Sequence, residues 1–132
     1  GAGAFVWLVK HGRLLTNERK HRMGLGSDRC DYCSDRPETI LHVLGDCALT
    51  RPLWISAVDT TAMRHQFFTS NLEDWIAINI SCKGGTSSNG GWSHFCAMAC
   101  HLSWLWRNKE KHDEDFMRPM KQTEFVRQKL HC

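Results

Sequence analysis

Apolar residues recur at helical spacing through most of the chain, and no stretch shows the convincing apolar/polar alternation of a half-buried strand. Phe5, Leu8 and Val9 fall on one helical face, and Gly12 is placed to end that helix. Thr16 then reads as the N-cap of a short second helix with Gly24 beyond its last turn; Arg19, Lys20 and Arg22 face outward and Met23 inward. The two are expected to form a tight helical hairpin.

Ser27 to Pro37 is too polar for a helix or a core strand and reads as a loop or knuckle. Behind Pro37, the residues Ile40, Leu41, Val43 and Leu44 fit a short helix that Gly45 and Asp46 stop. Another follows Cys47, with Leu49, Leu53, Trp54 and Val58 on its apolar face and Pro52 confined to its first turn. Phe67, Phe68, Leu72, Trp75 and Ile76 predict one or two short packing helices, and the run KGGTSSNGG over 83–91 reads as a flexible linker. The strongest helix runs from about Trp92 to His112, where Phe95, Met98, Ala99, Leu102, Leu105 and Trp106 trace an apolar stripe. Pro119 interrupts the segment beyond His112, and the tail to Cys132 fits a weak final helix.

The 132 residues suffice for one domain, or for a small metal-organised lobe with a helical extension, and are too few for a polymerase. Because the chain opens on Gly1 rather than Met and the apolar run Ala4 to Val9 begins almost at once, an N-terminal truncation is expected. A formal charge of +3 marks a mildly basic protein, not an arginine-rich tail. The longest apolar segment, Phe95 to Trp106, is shorter than the roughly 20 residues a bilayer demands and is interrupted by His101 and Ser103. Ala4 to Val9 is also shorter than a signal-peptide core, so a soluble, intracellular and unsecreted protein is expected. Seven cysteines, an odd number without a secretory signal, fit metal binding better than a disulfide framework.

The chemistry is concentrated in four residues. Two residues separate Cys30 from Cys33, the interval that lets a tight turn aim both sulfurs at one ion about 2.3 Å away. Eight residues then precede His42 and four more precede Cys47, giving C-x2-C-x8-H-x4-C. Four ligands fill a tetrahedral shell and leave no open position, which describes one structural zinc ion with no hydrolytic water. Three thiolates favour zinc over magnesium or calcium. A redox pair at Cys30 and Cys33, or cysteines acting as small buried hydrophobes, are the competing readings. A redox motif needs a neighbouring strand and helix, and the segment from Ser27 to Pro37 is too polar for inert thiols.

This site sits inside a longer pattern: Phe5-Val6-Trp7-Leu8, Gly12-Arg13-Leu14-Leu15-Thr16, the cysteine pair, Glu38 and His42 with three residues between them, Cys47 and Trp54. Together these resemble the reverse transcriptase zinc-binding domain, zf-RVT, of plant LINE-type retrotransposons. The resemblance is specific from Phe5 to about Trp54 and weaker beyond, where Trp75 and Trp104-Leu105-Trp106-Arg107-Asn108 are similar to the helical region that follows the domain in many relatives. It implies that Cys30, Cys33, His42 and Cys47 are the metal positions. It also implies an origin beside a reverse transcriptase and often upstream of a ribonuclease H domain, in proteins named for ribonuclease H. Nothing after Asn108 resembles a ribonuclease H, and the sole tyrosine, Tyr32, is followed by Cys33 and Ser34 instead of the paired aspartates of a polymerase.

Other candidates are weighed against blander roles. Asp113, Glu114 and Asp115 are consecutive and point apart, as on a solvated face. Cys96 and Cys100 share a helix face that His101 shares poorly, which favours packing over a second metal site. Cys82 and Cys132 have no assigned role. Arg13, Arg19, Lys20, Arg22 and Arg29, with Lys10, make the segment 10–29 basic and are the candidate phosphate contacts, an ordinary solvated face being the alternative. The tryptophans are expected in the core or an interface, with base stacking only where exposed.

The expected architecture is therefore mostly α: a small helical zinc-knuckle lobe, a treble of short helices around a CCHC site, followed by a linker and a long amphipathic helix. In domain terms this is residues 1–58 for the zinc unit, 59–82 for short packing helices, 83–91 for the linker and 92–132 for the long helix and tail. The expected function is a structural zinc module with no catalysis of its own, assisting RNA or DNA binding in the nucleus and taking no small-molecule substrate. The alternatives are a protein-interaction module docking to a polymerase or nuclease domain, such as a reverse transcriptase or ribonuclease H domain, or a relic of a decayed element. Removing the metal is expected to melt at least residues 27 to 47.

Overall fold

The computed structural model describes residues 2–80 and 87–131. Among them the chain is mostly helical, and the nearest approach to a sheet is one isolated antiparallel bridge between Arg29 and Pro37. The helices are α1 (Ala2–Lys10), α2 (Asn17–Arg22), a π-helical turn (His42–Asp46), α3 (Arg51–Ala57), α4 (Thr61–Thr69), α5 (Leu72–Asn79), α6 (Ser87–His112) and α7 (Gln122–Leu130).

Local chemistry sets the boundaries. Gly12 and Gly24 both take positive φ, +62° and +79°, where a β-carbon would be strained, and so end α1 and α2. Thr16, Thr60 and Asn71 cap α2, α4 and α5 by accepting the backbone N–H of Arg19, Met63 and Asp74. Pro52 lies in the first turn of α3, where its missing N–H is not needed. Of the expected linker, 83–86 lie outside the described residues, whereas Ser87 to Gly91 belong to α6. Propagation explains this correction: once a long helix exists, each added residue gains a hydrogen bond without a new nucleation cost.

One apolar cluster runs from Phe5 in α1 to Val126 in α7, so α6 packs on the zinc lobe instead of trailing behind a linker. It contacts α1, the π-helical turn, α5 and α7. Trp54 sits at the centre, fully buried, edge-on to Trp75, Trp92 and Phe95 and tilted against Phe67. Its indole N–H donates to the Leu44 carbonyl at 2.7 Å, tying α3 to the π-helical turn.

Three expectations are corrected. Met23 is exposed, because α2 is one short turn and a half that buries Asn17, the apolar burial at this corner being carried by Leu14 ahead of the helix. Trp7 is also exposed and lies flat on His11 one turn on. The buried face of α6 is rotated from the apolar stripe: it passes through Phe95, Cys96, Ala99, Cys100, Ser103, Trp106 and Arg107, while Leu105 is exposed and Met98 and Leu102 are half-buried. Small side chains at Cys96, Ala99, Cys100 and Ser103 let α1 and the π-helical turn approach closely.

Candidate metal centre

The segment between α2 and the π-helical turn has almost no repeating backbone structure, yet its side chains converge. Cys30 begins a tight turn in which the Ser34 N–H donates to the Cys30 carbonyl at 2.9 Å and Ser34 adopts φ +48°. The turn brings Cys33 back beside Cys30, and the Cys33 N–H donates to the Cys30 sulfur at 3.4 Å. The Ala48 N–H donates likewise to the Cys33 sulfur at 3.4 Å. Backbone donors aimed at sulfur favour the thiolate, the form a metal requires.

His42 and Cys47 are brought together by a device the sequence pattern did not show. The expected α-helical stop at Gly45 is replaced by a π-helical turn, closed by a hydrogen bond from the Cys47 N–H to the His42 carbonyl at 2.8 Å. This wider turn inserts one extra residue and swings Cys47 toward the knuckle. The sulfur of Cys47 lies 3.9 Å from that of Cys30 and 3.9 Å from that of Cys33. One ligand atom from each of Cys30, Cys33, His42 and Cys47 fits within 4.8 Å of all the others.

These distances test whether a metal suits the site. Sulfurs bound to one tetrahedral zinc at about 2.3 Å stand about 3.8 Å apart, close to what the two pairs show. A disulfide needs about 2.05 Å, and the five cysteines among the described residues are free. Nε2 of His42 is buried and finds no hydrogen-bond partner, while Nδ1 bonds Oδ1 of Asp46 at 2.8 Å. An imidazole fixed at one nitrogen, with its other nitrogen buried and unpaired and its ring clustered with three thiols, is arranged as a ligand. The site can hold one metal ion, and a set of three sulfurs and one imidazole suits zinc.

Electrostatics agree. Burial, partly offset by the Leu49 amide and reinforced by the neighbouring thiols Cys30 and Cys33, pushes the Cys47 thiol up to about 12. Three sulfurs this close are uncomfortable as thiolates without a cation between them. Burial works against a charged His42, yet the hydrogen bond and charge of Asp46 together with the neighbouring Cys30 outweigh it and raise its pKa. Asp46 is held below the usual carboxylate range, burial being more than offset by His42 and by Arg36, whose guanidinium donates to Oδ2 at 2.8 Å.

The basic residues divide. Arg13, Arg22 and Arg29 are exposed and Lys20 is partly buried, though Arg22 pairs with Glu18 at 3.7 Å and Arg29 with Asp28 at 3.5 Å. Arg19 is partly buried and donates to the Gly12 carbonyl at 3.3 Å, so it helps hold the hairpin. Cys96 and Cys100 are completely buried, burial raises both thiols, and neither joins the cluster of ligands.

A second polar constellation supports the knuckle from outside it. Arg107 of α6 donates from Nε and Nη2 to the two carboxylate oxygens of Glu38 at 3.0 and 2.6 Å, and from Nη2 to Asn17 Oδ1 at 3.1 Å. Asn17 in turn donates from Nδ2 to the Arg29 carbonyl at 2.7 Å and to Asp31 at 3.1 Å, on the approach to Cys30. Burial favours the neutral form of Asp31, but the Lys111 ammonium at 2.6 Å prevails and holds its carboxyl below the usual range. Glu38 and Arg107 stand in the sequence pattern without an assigned role; their separation of 69 residues hides the pairing. Asp46 was detectable in principle, being four residues from His42 and thus one turn away.

Comparison with known proteins agrees with this geometry. Residues 2–54 match the model of a family described as zinc-binding in reverse transcriptase. A protein of Arabidopsis thaliana named "Putative ribonuclease H protein" is 32% identical over 104 residues, 78% of this chain and 16% of the relative. The chain thus spans about a sixth of that relative's length, and the alignment is longer than the zinc segment alone. No solved structure matches the chain. Residues 2–54, which contain the cysteine and histidine cluster, thus match the zinc-binding domain family of reverse transcriptases, zf-RVT.

Proposed function

We propose that Cys30, Cys33, His42 and Cys47 together hold one structural zinc ion, and that the lobe so organised assists the binding of RNA or DNA without catalysing a reaction. The convergence of four ligand atoms within 4.8 Å carries the metal assignment. Bound there, zinc would cross-link a loop that has little apolar packing of its own. Four protein ligands leave no open position for a reactive water, which supports a structural role.

For nucleic acid, support comes from the exposed cations Arg13, Arg22 and Arg29 and the partly buried Lys20, with Arg19 bracing the backbone beneath them. Tyr32 is exposed beside the cysteine pair and offers a ring for stacking on a base. Family kinship with reverse transcriptases, and a relative whose name refers to ribonuclease H, are consistent with a partner of this kind and with action in the nucleus. Docking to a neighbouring reverse transcriptase or ribonuclease H domain is the second reading. It is favoured by Met23 and Leu25, both exposed and interleaved with the same cations.

A binding titration with single-stranded and duplex RNA and DNA across a salt series tests the first reading. Binding should weaken as salt rises, and replacing Lys20 and Arg22 by Ala should lower the salt slope by about 0.7 per lost phosphate contact on single strands. Negligible affinity at low salt, or a slope unchanged in the variant, refutes the phosphate-binding role. Recovery of a polymerase or nuclease domain that depends on Met23 and Leu25 would support docking.

A further inference from the structure

We infer that Asp46, braced by Arg36, is a positioning residue for the metal: it selects the tautomer and orientation of His42 so that Nε2 is the ligand nitrogen. The inference rests on the zinc reading above and adds two residues to the four ligands.

A neutral imidazole carries its proton on one nitrogen and can bind a metal only through the other. Asp46 Oδ1 stands 2.8 Å from Nδ1, and an ionised carboxylate can only accept. The proton therefore belongs on Nδ1. Nε2 is left as a lone pair, buried and without a hydrogen-bond partner, on a ring one of whose nitrogens lies within 4.8 Å of the three sulfurs; with Nδ1 taken by Asp46, Nε2 is the nitrogen free to serve. Asp46 cannot easily rotate away, because its other oxygen receives the Arg36 guanidinium at 2.8 Å. The backbone is held too: the Thr39 hydroxyl oxygen accepts the His42 N–H at 3.0 Å, and the π-helical turn sets the offset between His42, Asp46 and Cys47. His42, Asp46 and Arg36 thus form a relay from the buried site to the surface, where Arg36 is half exposed. A carboxylate behind a ligating imidazole orients the ring and raises its basicity as a donor, and losing such a partner commonly lowers metal affinity about 10- to 100-fold.

The test compares the full chain with Asp46→Ala, Asp46→Asn and Arg36→Met, measuring zinc affinity by competition with a chromophoric chelator. The His42 tautomer is read from two-bond nitrogen–proton couplings in labelled protein. Asp46→Ala should bind zinc about 10- to 100-fold more weakly. Asp46→Asn, whose amide oxygen can still accept from Nδ1–H, should lose much less, and Arg36→Met should fall between wild type and Asp46→Ala. Wild-type His42 should show its proton on Nδ1 in the zinc-loaded protein. Coordination through Nδ1, or an Asp46→Ala affinity within twofold of wild type, overturns the inference. Should Asp46→Ala fail to fold, the wild-type tautomer and the Asn and Met variants still decide it. A wild-type protein that binds no zinc would instead refute the metal assignment itself, and Asp46 variants indistinguishable from a zinc-binding wild type would refute only the positioning role.

Discussion

Replacing Arg107 by Met is the sharpest probe of how the long helix and the knuckle depend on each other. The guanidinium is 7% exposed and Glu38 3%, so both charges are taken out of water and each is tolerable only because of the other. Methionine keeps most of the volume and none of the charge. The carboxylate of Glu38 would then be left buried with a single donor, the Asn17 N–H at 2.7 Å, and Asn17 Oδ1 would lose its bond as well. Breaking one side of a buried pair typically costs about 3–5 kcal/mol, against about 0–1 kcal/mol for an exposed bridge. Since a small domain has about 5–15 kcal/mol in total, the loss should be plain in urea denaturation of the zinc-saturated protein followed by tryptophan fluorescence. The paired variant Glu38→Gln with Arg107→Met should recover much of the loss, because no unpaired charge remains. Amide exchange should also quicken around Arg29 and Asp31, which Asn17 holds in place. A destabilisation below about 1 kcal/mol, or a paired variant no better than Arg107→Met alone, would refute buried pairing as the link between α6 and the knuckle.

Further predictions concern the metal, the core and the thiols. Chelation should abolish amide protection over residues 27–47, since structural zinc supplies on the order of 10 kcal/mol; unchanged protection would show that the loop folds without metal. Zinc affinity should fall steadily as pH drops anywhere below about 12, through neutrality and into acid, because the Cys47 thiol, pushed up to about 12 without metal, must release its proton to bind; a pH-independent affinity measured by calorimetry would contradict this. Trp54→Ala should cost about 3–5 kcal/mol by urea titration, and Trp54→Phe about 1–3 kcal/mol by stranding the buried Leu44 carbonyl; a neutral Trp54→Phe would remove the hydrogen bond's role. Cys96 and Cys100 should resist iodoacetamide in the native protein, whereas Cys33 should become reactive once zinc is chelated; mass spectrometry showing early labelling of Cys96 would contradict their burial.

What the sequence by itself determined is local. Cys30, Cys33, His42 and Cys47 lie within one short segment, so the spacing that permits convergence is written directly in the order of residues. The ends of α1 and α2, the Thr16 cap, the position of Pro52 and the helical character of the chain are legible for the same reason: they depend on neighbours a few residues away. Tertiary structure decided what depends on distant partners. Hydrophobicity alone aimed α6 through Leu105, yet its buried face runs through Cys96, Cys100, Ser103 and Arg107, since small side chains allow close approach and Glu38 makes a buried cation tolerable. The π-helical turn that presents His42 with Cys47, and the Arg36 brace on Asp46, arise from packing and hydrogen-bond satisfaction that no periodicity encodes. A polar residue's place is set by the partner that compensates its burial, and that partner can lie anywhere along the chain.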